Sequence, residues 1–127
     1  MNRDIRVLVV DDLEAMRMSV CDILRHLGFT NVVQAQDGNQ ALAMLRSQDV
    51  DFLITDLDMP GMDGVALVRA LRSDDALKDI PVLFLTGQGE KSRVVEAAQA
   101  GVNDYMLKPF TMALLESKIR AILGQDS

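Results

Sequence analysis

The stretch DFLITDLDMPGMDG, residues 51–64, carries the strongest signal for the fold of this chain. It opens with the apolar run 52–55, which is short enough and apolar enough for a strand buried on both faces of a parallel sheet. The run ends at Asp56, and a proline and two glycines in the next eight residues break regular structure. Asp56 is therefore predicted at the carboxyl end of a strand, the edge where open parallel sheets bind ligands. Taken alone, Asp56 is more simply interpreted as a turn or helix-capping aspartate. The other residues of the chain are needed to choose between that interpretation and a ligand-binding role.

Length and composition indicate one globular domain. The chain has 127 residues, of which 49% are hydrophobic and 25% are charged. Its 13 basic and 19 acidic residues give a net charge of −6, which argues against a nucleic-acid partner. The single cysteine, Cys21, excludes a disulfide framework. Because the sequence shows neither a signal peptide nor a membrane-spanning stretch, we expect a cytoplasmic protein with no membrane partner.

Apolar runs and helical periodicity alternate along the whole chain. Strands are predicted at residues 5–10, 32–33, 52–55, 82–85 and 105–107. Each is followed by a predicted helix, marked in turn by Leu13, Met16, Val20, Leu24 and Leu27; Ala41, Leu42 and Leu45; Val65, Val68 and Leu71; Val94, Val95 and Ala98; and Leu115, Ile119 and Ile122. Gly28 and Gly101 are predicted to end the first and fourth helices. This alternation predicts an α/β fold, a doubly wound five-stranded parallel sheet with five helices covering both faces.

Polar residues follow four of the predicted strands. Asp11 and Asp12 follow the first, Asp56 ends the third, Thr86 ends the fourth and Lys108 follows the fifth. Because the carboxyl ends of parallel strands share one edge, these side chains should converge. Three carboxylates in one cleft repel one another, and oxygen ligands without histidine or cysteine suit Mg²⁺. The alternative is that the adjacent aspartates only cap the first helix.

The lysine and the hydroxyl beside this acidic cluster indicate phosphoryl transfer. Asp56 would be the carboxylate nucleophile and would form an aspartyl phosphate. Lys108 would neutralise charge on the transferred group, and Thr86 would donate a hydrogen bond to a phosphoryl oxygen. The alternative for Lys108 is a surface ion pair with an aspartate.

Four segments, in order along the chain, resemble the receiver domain of two-component response regulators. They are VLVVDD (7–12), FLITDLDMPGMDG (52–64), VLFLTG (82–87) and YMLKPF (105–110). The resemblance covers almost the whole chain and implies a flavodoxin-like sheet with strand order 2-1-3-4-5. It also implies a single response regulatory domain over residues 1–127, with no output domain. A receiver of this kind is a phosphoacceptor rather than an enzyme, since it catalyses only its own phosphorylation and dephosphorylation.

The resemblance assigns roles to the aspartates. Asp56 would accept the phosphoryl group from the phosphohistidine of a sensor histidine kinase. Asp12, Asp56 and the backbone carbonyl of Asp58 would bind Mg²⁺ directly, and Asp11 would bind it through a water molecule.

The resemblance also implies a conformational switch. Thr86 would move toward the phosphoryl group, and Tyr105 would change rotamer as Thr86 moves. Together they would alter the surface formed by the fourth helix, the fifth strand and the fifth helix, and thereby control a partner protein.

The segments 22–42 and 96–118 are similar to CheY-like, chemotaxis-type receivers. In that group, Lys91, Tyr105 and Lys118 would lie on the face that binds the flagellar motor switch. A CheA-like kinase, the motor switch and a phosphatase are the implied partners, and a phosphorelay or another signalling pathway is the alternative.

Two residues depart from the chemotaxis-type pattern. Asp58 stands where asparagine is usual, and Gln88 replaces an acidic residue two positions after Thr86. Because both flank the path of attacking water, the lifetime of the phosphoryl group should differ from that of typical members.

A hydrolase is the remote alternative. Asp56 and Asp58, two residues apart after an apolar strand, also fit the nucleophile motif of haloacid-dehalogenase-type phosphohydrolases. In that family the motif normally follows the first strand, and here it follows the third.

Overall fold

The structure is a computed structural model that describes residues 2–87 and 91–124, apart from the side chains of residues 91–94. Strands and helices alternate as predicted, in the order β1 (Arg6–Val10), α1 (Glu14–His26), β2 (Asn31–Ala35), α2 (Gly38–Ser47), β3 (Phe52–Asp56), α3 (Gly64–Arg72), β4 (Val82–Thr86), α4 (Lys91–Ala100), β5 (Asp104–Leu107) and α5 (Met112–Leu123). Within these ranges, no helix has the length and apolar character needed to cross a membrane.

The five strands form one parallel sheet in the order β2-β1-β3-β4-β5. This confirms the doubly wound α/β fold and the strand order that the family resemblance implied. The register aligns the carboxyl ends of the central strands, through the pairs Val10–Thr55, Asp56–Leu85 and Thr86–Leu107. Residues that end or follow these strands therefore meet at one edge of the sheet.

Two apolar cores hold the helices against the sheet. On one face, α1 and α5 bury Leu24 and Leu115 against alternate strand residues such as Ile54. On the other face, α2, α3 and α4 pack against the strand residues between them, such as Leu53 and Phe84. The central strands β3 and β4 are buried along their whole length, which explains their continuous apolar sequence.

Local sequence explains where several helices begin and end. The side chains of Asp37, Asp63 and Thr111 accept hydrogen bonds from backbone N–H groups in the first turns of α2, α3 and α5. Gly28 follows the end of α1 with φ +103°, and Gly101 follows α4 with φ +100°. Both glycines therefore end helices as predicted, in a backbone conformation that other residues rarely adopt.

Three predicted packing positions are wrong. Leu13 precedes α1 and is 59% exposed, because the helix begins only at Glu14. On α4, Val95 is 59% exposed and Ala98 is exposed as well, whereas Ala97 is buried. A helix rich in alanine and valine has weak amphipathic contrast, so its sequence did not reveal which face packs. The side chain of Val94 lies outside the described residues.

Candidate functional site

The sheet brings the predicted polar residues together at its carboxyl edge. Asp11 directly follows β1, Asp56 ends β3, Thr86 ends β4 and Lys108 directly follows β5. The backbone N–H of Lys108 donates to the carbonyl of Thr86 at 2.8 Å, which joins the last two strand ends. The structure therefore confirms that these residues lie together at the carboxyl edge of the sheet.

Three carboxylates form a compact cluster. Asp11, Asp12 and Asp56 each place a carboxylate oxygen within 4.8 Å of the others, with Asp11 and Asp56 buried and Asp12 exposed. The Asp11 Oδ1 atom accepts the N–H of Leu13 at 2.9 Å, but the N-cap of α1 is Leu13, whose side chain makes no capping hydrogen bond. Helix capping therefore does not account for the aspartate pair.

Lys108 lies inside this cluster. Its Nζ is 3.0 Å from Asp56 Oδ1 and 3.5 Å from Asp11 Oδ2. The side chains of Lys108, Asp56 and Asp11 are only 17%, 9% and 2% exposed. The alternative of a surface ion pair is therefore wrong, and these charges interact in a partly desolvated cleft where their attraction is stronger.

Burial raises the pKa of Asp56, since it removes water from the charged carboxylate. The hydrogen bond and the charge of Lys108 lower that pKa, and the charge of Asp11 raises it again. Burial lowers the pKa of Lys108, but the hydrogen bond and charge of Asp56, followed by the charge of Asp11, outweigh burial and raise it overall. The lysine therefore stays protonated and available as a cationic donor.

The cluster fits a hard divalent cation. Its donors are all carboxylate oxygens, the ligand type that Mg²⁺ prefers. Its carboxylate oxygens lie within 4.8 Å of one another, which is close enough for all three to reach one Mg²⁺ ion. The buried excess of negative charge, two carboxylates against one ammonium, also favours a bound cation.

The two predicted switch residues lie on neighbouring strands. Thr86 is buried, and its hydroxyl donates to the Gly87 carbonyl at 3.4 Å. Tyr105 on β5 is 40% exposed, and the Lys118 Nζ lies 5.9 Å from its ring centroid. Lys118 also pairs with Asp104 at 3.0 Å. Tyr105 thus presents its ring to the surface, while its coupling to Thr86 stays a prediction.

Three residues named in the sequence analysis are described only in part. Asp58 is exposed in the loop after β3, and the metal-binding role of its backbone carbonyl stays a prediction. Gln88 lies outside the described residues. Lys91 begins α4, and its side chain lies outside the described part as well.

One further contact at the site was not predicted from the sequence. Arg17 on α1 donates through Nη1 to the backbone carbonyl of Asp11 at 2.8 Å, and through Nε to Gln34 Oε1 at 2.9 Å. The one feature of the sequence that could have indicated this contact is a basic residue five positions after the acidic pair. Nothing local connects it to Gln34, which is 17 residues away along the chain.

Comparisons with known proteins agree with this geometry. The family described as response regulator receiver domain matches residues 7–120. The chemotaxis protein CheY of Pseudomonas aeruginosa is 50% identical over 117 residues, covering 92% of this chain and 94% of that protein. The chemotaxis protein CheY-3 of Vibrio cholerae is 47% identical over 122 residues, covering 96% of this chain and 94% of that protein.

A solved structure with a similar fold carries a metal. It is the receiver domain of a sensor histidine kinase from Pseudomonas aeruginosa, described as having a magnesium ion coordinated in the active-site cleft. It superposes with a TM-score of 0.87 at 29% identity, over 96% of this chain and 99% of that one. On the family match and the chemotaxis relatives, this chain belongs to the response regulator receiver domain family.

Proposed function

We propose that Asp56 accepts a phosphoryl group from the phosphohistidine of a sensor histidine kinase. The observation that carries this proposal is the Asp56 carboxylate, nearly buried at the end of β3 and 3.0 Å from the ammonium of Lys108. A buried carboxylate beside a cationic donor is typical of sites that react with anionic groups, because the cation stabilises the negative charge of the transferred group.

The transfer requires one bond to form and one to break. A carboxylate oxygen of Asp56 bonds to phosphorus while the phosphorus–nitrogen bond of the phosphohistidine breaks, and the leaving imidazole takes a proton. Lys108 favours the ionised, nucleophilic form of Asp56 and then donates to the phosphoryl oxygens. The product is an acyl phosphate on this chain, so the protein is a phosphoacceptor and not a turnover enzyme.

The carboxylates of Asp11, Asp12 and Asp56, with the carbonyl of Asp58, would hold Mg²⁺. When bound, the ion would supply positive charge to the carboxylates and to the incoming phosphoryl oxygens. The magnesium-containing receiver of the Pseudomonas aeruginosa kinase supports this assignment.

Phosphorylation would then change a surface. The group adds about −1.5 to −2 charges at a crowded site, and Thr86 would turn toward it. The space that Thr86 leaves would admit the ring of Tyr105, which shifts the population of states at the α4–β5–α5 face. This face already exposes Leu107 and Leu114 around a shallow cavity of about 300 Å³, as a partner-binding surface requires.

The proposed pathway is chemotaxis. A CheA-like kinase would phosphorylate Asp56, the flagellar motor switch would bind the α4–β5–α5 face, and a phosphatase would end the signal in the cytoplasm. Two relatives at 50% and 47% identity are chemotaxis proteins, which favours this pathway over a phosphorelay. The receiver-family match likewise favours a phosphoacceptor over a haloacid-dehalogenase-type hydrolase.

Complementation tests the pathway. The wild-type chain and its Asp56→Asn variant would be expressed in a Pseudomonas aeruginosa strain that lacks its own CheY. We expect the wild type to restore expansion on swimming plates and the variant not to restore it. Restoration by both would refute phosphorylation of Asp56 as the signal. If neither restores swimming, although a purified chemotaxis kinase phosphorylates the wild type in vitro, the protein serves another pathway.

A further inference from the structure

Every polar group of Asp11 takes part in a hydrogen bond. Its N–H donates to the Ala35 carbonyl at 3.3 Å, and its carboxylate oxygens accept from the Leu13 N–H and from Lys108. The remaining group is its backbone carbonyl, which accepts from the guanidinium of Arg17 at 2.8 Å. That carbonyl belongs to the peptide bond that joins Asp11 to Asp12, so its orientation sets the direction in which Asp12 leaves the strand.

Asp12 depends on this backbone for its position. Among the described residues, its exposed side chain has neither a hydrogen-bond donor nor an ion-pair partner. Asp56 differs, because its carboxylate is packed in the cleft and bonded to Lys108. A shift of the peptide between Asp11 and Asp12 would therefore displace Asp12, and no other contact in the described part of the chain would restrain it.

We propose that Arg17 is a positioning residue for the Mg²⁺ site: it holds the Asp11–Asp12 peptide and thereby fixes the Asp12 carboxylate. This inference rests on the proposed function. Gln34 completes the arrangement, because its amide oxygen accepts from Nε of Arg17 at 2.9 Å and anchors the guanidinium to the end of β2. The fork of the guanidinium bridges α1, β2 and the loop after β1 with two bonds in fixed geometry.

The test measures Mg²⁺ binding by calorimetry at constant ionic strength, with MgCl₂ as the titrant. Four variants are compared with the wild type: Arg17→Met, Gln34→Leu, the combination of both, and Arg25→Met. Arg25 lies on the same helix in an exposed ion pair with Asp22 at 3.5 Å, so its variant loses the same charge away from the site. Removal of a residue that orients a metal ligand typically weakens metal binding by about 10- to 100-fold.

We expect Arg17→Met to weaken Mg²⁺ binding by about tenfold or more, and Gln34→Leu to weaken it by less. The double variant should bind no more weakly than Arg17→Met, because Gln34 acts through Arg17. Arg25→Met should bind like the wild type. Amide hydrogen exchange at Leu13 in metal-free protein should accelerate by roughly tenfold in Arg17→Met, since that amide reports on the same loop.

Equal Mg²⁺ affinity for Arg17→Met and the wild type would overturn the role of Arg17 while leaving the proposed function intact. Equal losses for Arg17→Met and Arg25→Met would assign the effect to net charge and would overturn it as well. If Arg17→Met does not fold, wild-type affinity of Gln34→Leu decides against the proposal. A wild-type protein that binds no Mg²⁺ would refute the proposed metal site itself.

Discussion

The Asp56 carboxylate is nearly buried at the end of β3, 3.0 Å from the ammonium of Lys108. Burial opposes its ionisation more than Lys108 favours it, so the pKa of Asp56 in the folded protein lies above its ordinary value. A raised pKa in the folded state means that ionised Asp56 destabilises that state. Its contribution to stability is therefore fully present below the unfolded pKa, about 3.9, and is lost as the pH rises through the folded value.

Asp56→Asn should accordingly be more stable than the wild type at neutral pH without Mg²⁺. Asparagine keeps the shape of the side chain and removes the charge that burial opposes. Urea unfolding at about pH 4 and about pH 7 should show the advantage of the variant growing as the pH rises above the unfolded pKa of about 3.9. Asp49→Asn, at an exposed carboxylate, is the matched control and should change stability little. A wild-type protein that is more stable than Asp56→Asn at the higher pH would contradict the assigned direction of the shift.

Gly64 matters through its lack of a side chain. An added Cβ would lie 2.5 Å from the Asp56 carbonyl oxygen and 3.0 Å from the Leu57 Cα, and neither backbone atom can move freely. Overpacking of about 1–3 kcal/mol should exceed the gain in helix propensity, so Gly64→Ala should lower the free energy of unfolding by about 1 kcal/mol. At Gly61, φ is +76° and an added Cβ meets nothing within 4 Å, so Gly61→Asn is the control. A Gly64→Ala variant that is as stable as the wild type in urea unfolding would argue against close packing at Gly64.

Among the elements, α5 depends on a single side-chain cap. The Thr111 hydroxyl oxygen accepts the Leu114 N–H at 3.1 Å, which satisfies one of the free amides of the first turn. Thr111→Ala should therefore destabilise the protein by about 1 kcal/mol in urea unfolding. Thr111→Ser keeps the acceptor and should retain most of that stability. A loss as large for serine as for alanine would mean that the Thr111 methyl group, and not the cap, provides the stabilisation.

The packed face of a helix was predictable where its apolar and polar faces differ clearly in sequence, and it was not predictable where they differ little. The apolar positions predicted for α2 and α3, such as Leu45 and Leu71, are buried as expected because each lies on a helix with a clear apolar face. The packed face of α4 was predicted wrongly, since Val95 is exposed and Ala97 is buried. Apolar periodicity identifies a face only when the opposite face is clearly polar.

At the scale of the molecule, the site could be predicted because parallel topology places strand ends at one edge. The convergence of Asp11, Asp56 and Lys108 follows from that rule. The strand order did not follow from the residues and came only from the family resemblance. The contact between Arg17 and Gln34 could not be predicted either, because it depends on the three-dimensional approach of α1 to β2.

Mg²⁺ should stabilise the whole domain by mass action. An ion that binds only the folded state at about 100 times its dissociation constant adds about 2.7 kcal/mol to the free energy of unfolding. Thermal unfolding in MgCl₂ should therefore occur at a higher temperature than in NaCl of the same ionic strength. Asp12→Asn should lose most of this difference, because it removes one of the three clustered carboxylates. An equal midpoint in both salts for the wild-type protein would count against the cation site.

Intact-mass spectrometry after incubation with acetyl phosphate tests whether Asp56 is the phosphoacceptor, and it needs no partner protein. The wild type and Asp56→Asn would be incubated with and without Mg²⁺, and the same samples would be assayed for released phosphate. We predict one phosphoryl adduct, or Mg²⁺-dependent release of phosphate if the adduct is short-lived, and we predict both to be absent from Asp56→Asn. An adduct or a release rate that is the same in the wild type and in Asp56→Asn would rule out Asp56 as the phosphoacceptor.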